Sequence, residues 1–163
     1  MRFCPDCGHQ LNIGVIENRT VKSCSCGFID WNNWVNVSAV VVAFNENQEF
    51  MMVRVKHNNT LTFPGGYREL GESFEQAAKR EFFEETGHMI DHLKLFNVYT
   101  KDDLRLVWVV FTARILGGHF IPNEETSGIA FQTVDRLPDE HELRGSLTKG
   151  LLVDICKNKK QIK

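Results

Sequence analysis

Apolar residues along this chain recur at two spacings, one typical of strands and one typical of helices. Short runs rich in β-branched and aromatic residues, bounded by turn-forming residues, predict the strands of the fold. The first two are expected to form a hairpin around the polar turn at residues 45–48, and the fourth and fifth a hairpin around residues 101–103. The predicted strands are residues 36–44, 49–55, 61–63, 94–100, 104–115 and 129–134.

Two further segments have helical spacing. The first, residues 74–86, follows Ser73, a favourable N-cap residue that forms a capping box with Gln76 three positions later. Gly87 is suited to the left-handed conformation that ends many helices. The second, residues 144–157, carries leucine and isoleucine side chains at helical spacing. Mixed strands with two helices predict an α/β protein.

Carboxylates occupy an unexpected position on the first predicted helix. With side chains placed about 100° apart, Glu81 and Glu85 fall within about 20° of Phe74 on the core-facing stripe, and Glu84 within about 80°. Clustered, partly buried carboxylates repel one another and lose hydration. Oxygen-binding divalent cations such as Mg²⁺ or Mn²⁺ relieve both costs. An ordinary charged helix face is the alternative, but the helical phase and the glycine loop at residues 64–66 favour a metal site.

The segment 66–88 resembles the Nudix box, G-x5-E-x7-R-E-U-x-E-E-x-G-U, in which U is a bulky apolar residue. Gly66 opens the box and Glu72 follows at the required spacing. Residues 80–87, Arg-Glu-Phe-Phe-Glu-Glu-Thr-Gly, match the remainder, and only His88 departs from the pattern. So many fixed residues at set spacing make this motif highly specific.

The resemblance implies the family's α/β/α sandwich with a mixed sheet. It also implies hydrolysis of a pyrophosphate bond in a nucleoside diphosphate linked to another group, with bound Mg²⁺ or Mn²⁺. By motif position, the metal ligands are expected to be Glu81, Glu84, Glu85 and the Gly66 carbonyl.

The same resemblance assigns supporting and catalytic roles. Arg80 is expected to orient a box glutamate, and Glu72 to brace the loop or reach the metal through water. The general base varies in the family between a box glutamate, here Glu84 or Glu85, and an acid on a later loop. Glu124 and Glu125 precede the last predicted strand; we select Glu125, with an ordinary solvated loop as the alternative.

Four cysteines near the N-terminus form two pairs, each followed by glycine. Cys4 and Cys7 have the spacing of a zinc knuckle, whereas Cys24 and Cys26 form an irregular, shorter one. Together they predict a zinc ribbon at residues 1–33, followed by a Nudix domain at residues 34–163. His9 is a reserve ligand, and two disulfides are the alternative. Cys156 is predicted to be a core residue.

Composition excludes several classes of protein. The chain has 163 residues and a net charge of −2, so nucleic acid is an improbable general partner. No apolar run is long enough to cross a membrane, and the N-terminal sequence does not resemble a secretory signal; both predict a cytoplasmic protein. Many relatives in the family are homodimers, so a dimer is one expected state.

Three functions compete at this point. A zinc ribbon before a Nudix domain resembles the pyrophosphatases that cleave NADH, FAD or related dinucleotides, so a dinucleotide or nucleotide-sugar substrate leads. The proline signatures of the NADH and ADP-ribose enzymes are absent from residues 89–101. The second function is hydrolysis of nucleoside triphosphates or RNA 5′ ends. The third is a non-catalytic nucleotide-sensing or nucleic-acid-binding module, which the intact box disfavours.

Overall fold

The computed structural model describes residues 1–158 and divides into two compact units, Met1–Val35 and Asn36–Lys163. The boundary predicted from the sequence, between residues 33 and 34, lies close to this division.

The first unit is a small antiparallel sheet of three strands in the order β1-β2-β3. These strands are Asn12–Ile16 (β1), Arg19–Ser23 (β2) and Ile29–Asp30 (β3). Glu17 and Asn18, both at positive φ, form the two-residue turn between β1 and β2. Such a turn matches the twist of a tight hairpin. This hairpin lies between the two cysteine pairs.

The second unit contains a seven-stranded mixed sheet. Its main path has the order β10-β5-β4-β9-β8, with β6 paired to β5 and β7 paired to β4. Strands β4 and β9 are parallel, and the other neighbours are antiparallel. The strands are Asn36–Phe44 (β4), Phe50–Val55 (β5), Leu61–Thr62 (β6), Gly65–Tyr67 (β7), His88–Lys101 (β8), Leu106–Gly118 (β9) and Thr126–Gln132 (β10).

One helix covers each face of this sheet. Side chains of β4 alternate between the faces: Val41 packs in a cluster with residues of α1 (Phe74–Thr86), and Val40 in a cluster with residues of α2 (Gly145–Lys157). Phe82 is fully buried on the α1 side, as Leu151 is on the α2 side. This arrangement is the predicted α/β/α sandwich.

The bounds of α1 agree with its sequence signals. The Ser73 hydroxyl accepts a hydrogen bond from the Gln76 backbone N–H, and the Gln76 side chain accepts one from the Ser73 backbone N–H. Gly87 ends the helix at φ 68°, and its N–H donates to the Phe83 carbonyl at 2.7 Å. These local contacts set where α1 begins and ends, and thereby the position of its acidic residues.

The first predicted hairpin is correct only at its turn. Strand β4 pairs with β5 at Phe44 and Phe50, but residues Ser38–Val40 of β4 pair with β7 instead. The Val41 N–H also donates to the Pro64 carbonyl, so the chain around the glycine loop occupies the edge of β4. The loop is thereby fixed in the sheet directly beside α1.

Three other predicted strands differ from the structure in their bounds. Strand β8 begins at His88 rather than at residue 94. The sequence pattern concealed this start, because register shifts at residues 91–94 and 95–97 interrupt the two-residue alternation of the strand. Strand β10 begins at Thr126 and ends at Gln132, earlier than the predicted 129–134. A single 3-10 turn, Asp102–Leu104, replaces the start predicted for β9.

Within residues 1–158, no helix has both the length and the apolar character needed to cross a bilayer.

Candidate active site and cysteine cluster

The acidic residues of α1 divide into two inward-facing residues and one outward-facing residue. Glu81 and Glu85 are partly buried, and only 15% of the Glu81 side chain is exposed. The Glu84 side chain is 58% exposed, so it lies outside the buried stripe on which the helical projection placed its neighbours. Ala77, Ala78, Phe82 and Thr86 fill that stripe, which shifts its centre away from Glu84.

Glu85 is the most perturbed of these carboxylates. Burial raises its pKa to about 8, opposed by a hydrogen bond that its carboxylate accepts from the Gly65 N–H at 2.7 Å. The charges of Glu81 and Glu125 raise this pKa further. Glu85 lies in the last turn of α1, which holds no basic residue, and the negative end of the helix dipole disfavours an anion there. An added cation would relieve each of these costs.

Arg80 links the loop and helix carboxylates. Its guanidinium donates to Glu72 and Glu81 at 2.7 Å each, and to Glu84 at 3.2 Å. It also donates to the Tyr67 carbonyl at 3.1 Å, next to the glycine loop. The Arg80 hydrogen bond holds the pKa of Glu72 below its usual value. Arg80 and Glu72 therefore have positions suited to the orienting and bracing roles that the motif predicts.

Gly66 lies against the Glu81 carboxylate. A Cβ atom built at Gly66 would come within 2.3 Å of Glu81 Oε2, so no larger side chain fits without displacing the carboxylate. The neighbouring Gly65 has φ 148°, and a Cβ atom added there would clash with the backbone of Ala39. This is the physical reason for the double glycine: one residue keeps the loop on β4, and the other leaves room for a carboxylate.

The loop before β10 brings a further acid toward the site. Glu125 lines the same cleft as Gly66 and Glu81, whereas Glu124 does not. Asn123 Oδ1 accepts hydrogen bonds from the N–H groups of Glu125 and Thr126 at 2.9 and 2.8 Å. The Asn123 side-chain amide donates to the Glu84 carbonyl, and the Thr126 hydroxyl donates to the Glu85 carbonyl. The end of α1 thus determines where Glu125 lies.

The sequence interpretation overlooked Asn123 and Thr126. Their signal is visible in the segment Asn-Glu-Glu-Thr, because asparagine commonly accepts hydrogen bonds from backbone N–H groups two and three residues later.

The glycine loop, Glu81 and Glu125 border a cleft of about 510 Å³ in the second unit. Gly66, Glu81 and Glu125 lie along it with the apolar side chains of Leu104, Leu106 and Trp108. Two aromatic residues, Tyr67 and Trp108, line the cleft. Trp108 also packs against the core on the α2 side, as Phe44 and Tyr99 do. A cleft with carboxylates and an apolar wall suits a ligand that has both a metal-binding part and an aromatic part.

The donors fit a hard divalent cation in chemical type. Carboxylate and carbonyl oxygens are the ligands that Mg²⁺ and Mn²⁺ prefer. Among residues 1–158, however, Glu81, Glu84 and Glu85 do not bring three carboxylate oxygens within 4.8 Å of one another. Arg80 Nη1 donates to both Glu81 and Glu84, whereas the Glu85 carboxylate accepts from the Gly65 N–H.

The four N-terminal cysteines do converge. The sulfur atoms of Cys4, Cys7, Cys24 and Cys26 all lie within 4.8 Å of one another. The Sγ–Sγ distance is 3.5 Å both for Cys4–Cys26 and for Cys7–Cys24. Tetrahedral zinc with Zn–S bonds of about 2.3 Å separates its sulfur ligands by about 3.8 Å, so the cluster is compatible with a small zinc site.

The irregular second knuckle closes by a shorter turn. In the first knuckle the Gly8 N–H donates to the Cys4 carbonyl, whereas in the second the Gly27 N–H donates to the Cys24 carbonyl, one residue fewer. Both glycines have positive φ, at 75° and 101°. A backbone hydrogen bond from Cys26 lowers the pKa of Cys24 to about 6, which favours the thiolate that a metal requires. The reserve ligand His9 lies 3.4 Å from Cys7 Sγ through Nδ1.

Comparison with known proteins identifies the second unit. The NUDIX domain family matches residues 34–150, which is more than half of the chain. The chain belongs to the Nudix hydrolase family. Solved Nudix structures agree: a NUDIX hydrolase from Nitrosomonas europaea superposes with a TM-score of 0.82, over 99% of this chain and 93% of that chain. At 21% identity this similarity establishes the fold alone.

The relatives of this Nudix protein have names that refer to different substrates. A candidate 8-oxo-dGTP diphosphatase from Bacillus subtilis (strain 168) is 34% identical over 101 residues, covering 61% of this chain and 68% of the relative. An NAD-capped RNA hydrolase NudC from Haemophilus influenzae (strain PittEE) is 32% identical over 100 residues, covering 58% of this chain. The match spans only 37% of that NudC protein.

Proposed function

We propose that this Nudix protein hydrolyses a pyrophosphate bond in a nucleoside diphosphate linked to a second group, such as a dinucleotide or a nucleotide sugar. The observation that carries the proposal is the cleft itself, which places Glu81 and the glycine loop beside an apolar wall containing Trp108. The carboxylate and the glycine loop suit a metal-bound pyrophosphate, and the apolar wall suits a base or a sugar. A family neighbour of similar fold, from Streptococcus suis, is titled an ADP-ribose pyrophosphatase.

Each box residue has a role in this proposal. Glu81, Glu84, Glu85 and the Gly66 carbonyl would hold Mg²⁺ or Mn²⁺, which when bound neutralises phosphate charge and acidifies a water molecule. Arg80 keeps Glu81 and Glu84 oriented through the hydrogen bonds described above. Glu125 is the candidate base that accepts a proton from the attacking water, and Glu84 and Glu85 are the alternatives within the box.

Zinc in the cysteine cluster is a separate part of the proposal. Its role is structural, because four thiolates would complete the coordination of the ion and leave no position for a substrate.

The second candidate is hydrolysis of nucleoside triphosphates or RNA 5′ ends. It is favoured by the name of the Bacillus subtilis relative, an 8-oxo-dGTP diphosphatase. The NAD cap in the name of the NudC relative is a dinucleotide pyrophosphate, which fits the first candidate. The two candidates give different products. Cleavage of a dinucleotide releases two mononucleotides, whereas a triphosphate releases pyrophosphate or phosphate.

The test is a substrate screen with purified protein and product analysis. NADH, FAD, ADP-ribose, nucleotide sugars, nucleoside triphosphates and NAD-capped RNA are each incubated with Mg²⁺ or Mn²⁺, and with EDTA as the control. We expect hydrolysis of a diphosphate-linked substrate with added metal and none in EDTA. Full activity after rigorous removal of divalent ions would refute the mechanism, and release of pyrophosphate alone would select the second candidate.

A further inference from the structure

The cleft has a basic side as well as an acidic one. Arg144 and Lys101 line the same cavity as Glu81 and Glu125. Both of these basic residues lie outside the Nudix box. Arg144 acts electrostatically on the box, because its positive charge opposes the rise in the pKa of Glu85. Arg144 and Lys101 therefore border the same cavity as the carboxylates of Glu81 and Glu125.

Arg144 is held in place by its backbone rather than by its side chain. Its N–H donates to the Leu61 carbonyl at 2.8 Å, and Leu143 forms a parallel bridge with Leu61. Within residues 1–158, no carboxylate forms a salt bridge with its guanidinium. An arginine fixed at its Cα, with no protein anion as partner, has all of its hydrogen-bond donors available for a ligand.

Lys101 is held in the cleft by contacts of its own side chain. Its ammonium donates to the Ser146 hydroxyl at 3.0 Å and lies 3.9 Å from Asp103. This contact holds the end of β8 next to the start of α2, which keeps the second cation near Arg144. The apolar side chains of Leu104, Leu106 and Trp108 line the rest of the cavity.

We propose that Arg144, with Lys101 in the same cleft, binds phosphate oxygens of the substrate in the cavity that Glu81 also lines. The inference rests on the proposed function and extends it to the ligand's orientation: the diphosphate lies between the box and Arg144, and the nucleoside lies against Trp108. Arginine suits this role because its planar guanidinium donates two parallel hydrogen bonds to phosphate. Arg144 is then a substrate-binding residue that selects for the diphosphate.

The experiment measures binding of methylene diphosphonate, a pyrophosphate analogue that is not hydrolysed, by calorimetry in the presence of Mg²⁺. Arg144→Gln removes the charge and most donors, and we expect it to weaken binding about 10- to 100-fold, the range for a lost charge-assisted hydrogen bond. Arg144→Lys keeps the charge without the planar guanidinium and should give an intermediate loss. Arg136→Gln is the matched control, because Arg136 is exposed and is not among the residues lining the cleft.

Thermal unfolding of each variant accompanies the titration. The midpoints should be close to that of the unsubstituted protein, since Arg144 is exposed and surface substitutions usually change stability little. On any substrate found by the screen, Arg144→Gln should raise KM more than it lowers kcat. Equal binding by Arg144→Gln and Arg136→Gln would overturn the inference, as would no binding of the analogue by the unsubstituted protein. Intact binding with no hydrolysis of any substrate would instead count against the proposed function alone.

Discussion

Among single residues, Glu85 has the least favourable electrostatic environment in the site. Its carboxylate accepts one backbone hydrogen bond from Gly65 and is exposed to the negative charges of Glu81 and Glu125. Within residues 1–158 it forms no salt bridge, although Arg80 pairs with Glu81 and Glu84 nearby. A partly buried carboxylate without a salt-bridge partner is costly, so its position indicates a ligand that the protein alone does not supply.

Replacement of Glu85 by glutamine tests this explanation through activity. Glu85→Gln keeps the side-chain volume and removes one charge, so we expect turnover to fall roughly 100-fold or more, the scale of losing one preorganised electrostatic group. Glu75→Gln on the same helix is the control, since Glu75 is exposed and hydrogen-bonds only near the helix start. It should leave turnover unchanged. Equal losses in the two variants would show that the helix face, rather than a metal site, was disturbed.

The raised pKa of Glu85 predicts a pH dependence for the metal-free protein. Its folded pKa, about 8, exceeds the ordinary 4.5, so the folded state binds this proton more tightly than the unfolded state does. The favourable contribution of that proton is complete below about pH 4.5 and is lost as the pH rises through 8. Glu85→Gln lacks this titration. In chelator, its melting temperature relative to the unsubstituted protein should therefore increase between pH 5 and pH 9.

Comparison of the two proteins at each pH cancels the titration of other groups. A constant difference across the range would contradict the assignment of this proton to Glu85. Adding Mg²⁺ at high pH should stabilise the unsubstituted protein more than Glu85→Gln, because only the former has the full set of carboxylates.

At the scale of elements, local signals were predicted well and long-range pairing was not. Ser73, Gln76 and Gly87 lie within a few residues of the helix ends they determine, so both bounds of α1 followed from the sequence. The interruption of the β4–β5 hairpin depends on Pro64 and the glycine loop reaching β4 through tertiary hydrogen bonds. The box residues were found as a motif, but Arg144 joins their cleft only through folding and carries no local signal.

The two glycines of β7 should respond differently to alanine. In Gly66→Ala the new methyl group would meet only the movable Glu81 carboxylate, so we expect a near-normal melting temperature with strongly reduced activity. In Gly65→Ala the methyl group would meet the Ala39 backbone, at a φ unfavourable for alanine. That variant should lose about 1–3 kcal/mol of unfolding free energy. Thermal unfolding and turnover of both variants check the pair; a stable, fully active Gly66→Ala would contradict the placement of Glu81.

Across the whole molecule, the two units differ in how much apolar surface they bury. The Nudix unit has a cluster of buried side chains on each face of its sheet. In Met1–Val35 the buried apolar residues are Cys4, Leu11 and Val21, while Ile13 and Val15 are exposed. Units below about 40 residues generally need metal or disulfides to remain folded. The converging sulfur atoms therefore have a structural reason to bind zinc, independent of catalysis.

Removal of one sulfur ligand tests whether zinc holds the N-terminal unit folded. We expect the purified protein to contain about one zinc ion per chain, and Cys7→Ser to lose it, because three thiolates hold the ion far less tightly than four. In NMR spectra, the amide signals of residues 1–35 should collapse toward unfolded positions. Signals of residues 36–158 should remain dispersed, because that unit has its own core. Cys156→Ser, outside the cluster, should keep the zinc. Elemental analysis without zinc, together with two disulfides among the four cysteines, would show that covalent bonds hold this unit instead.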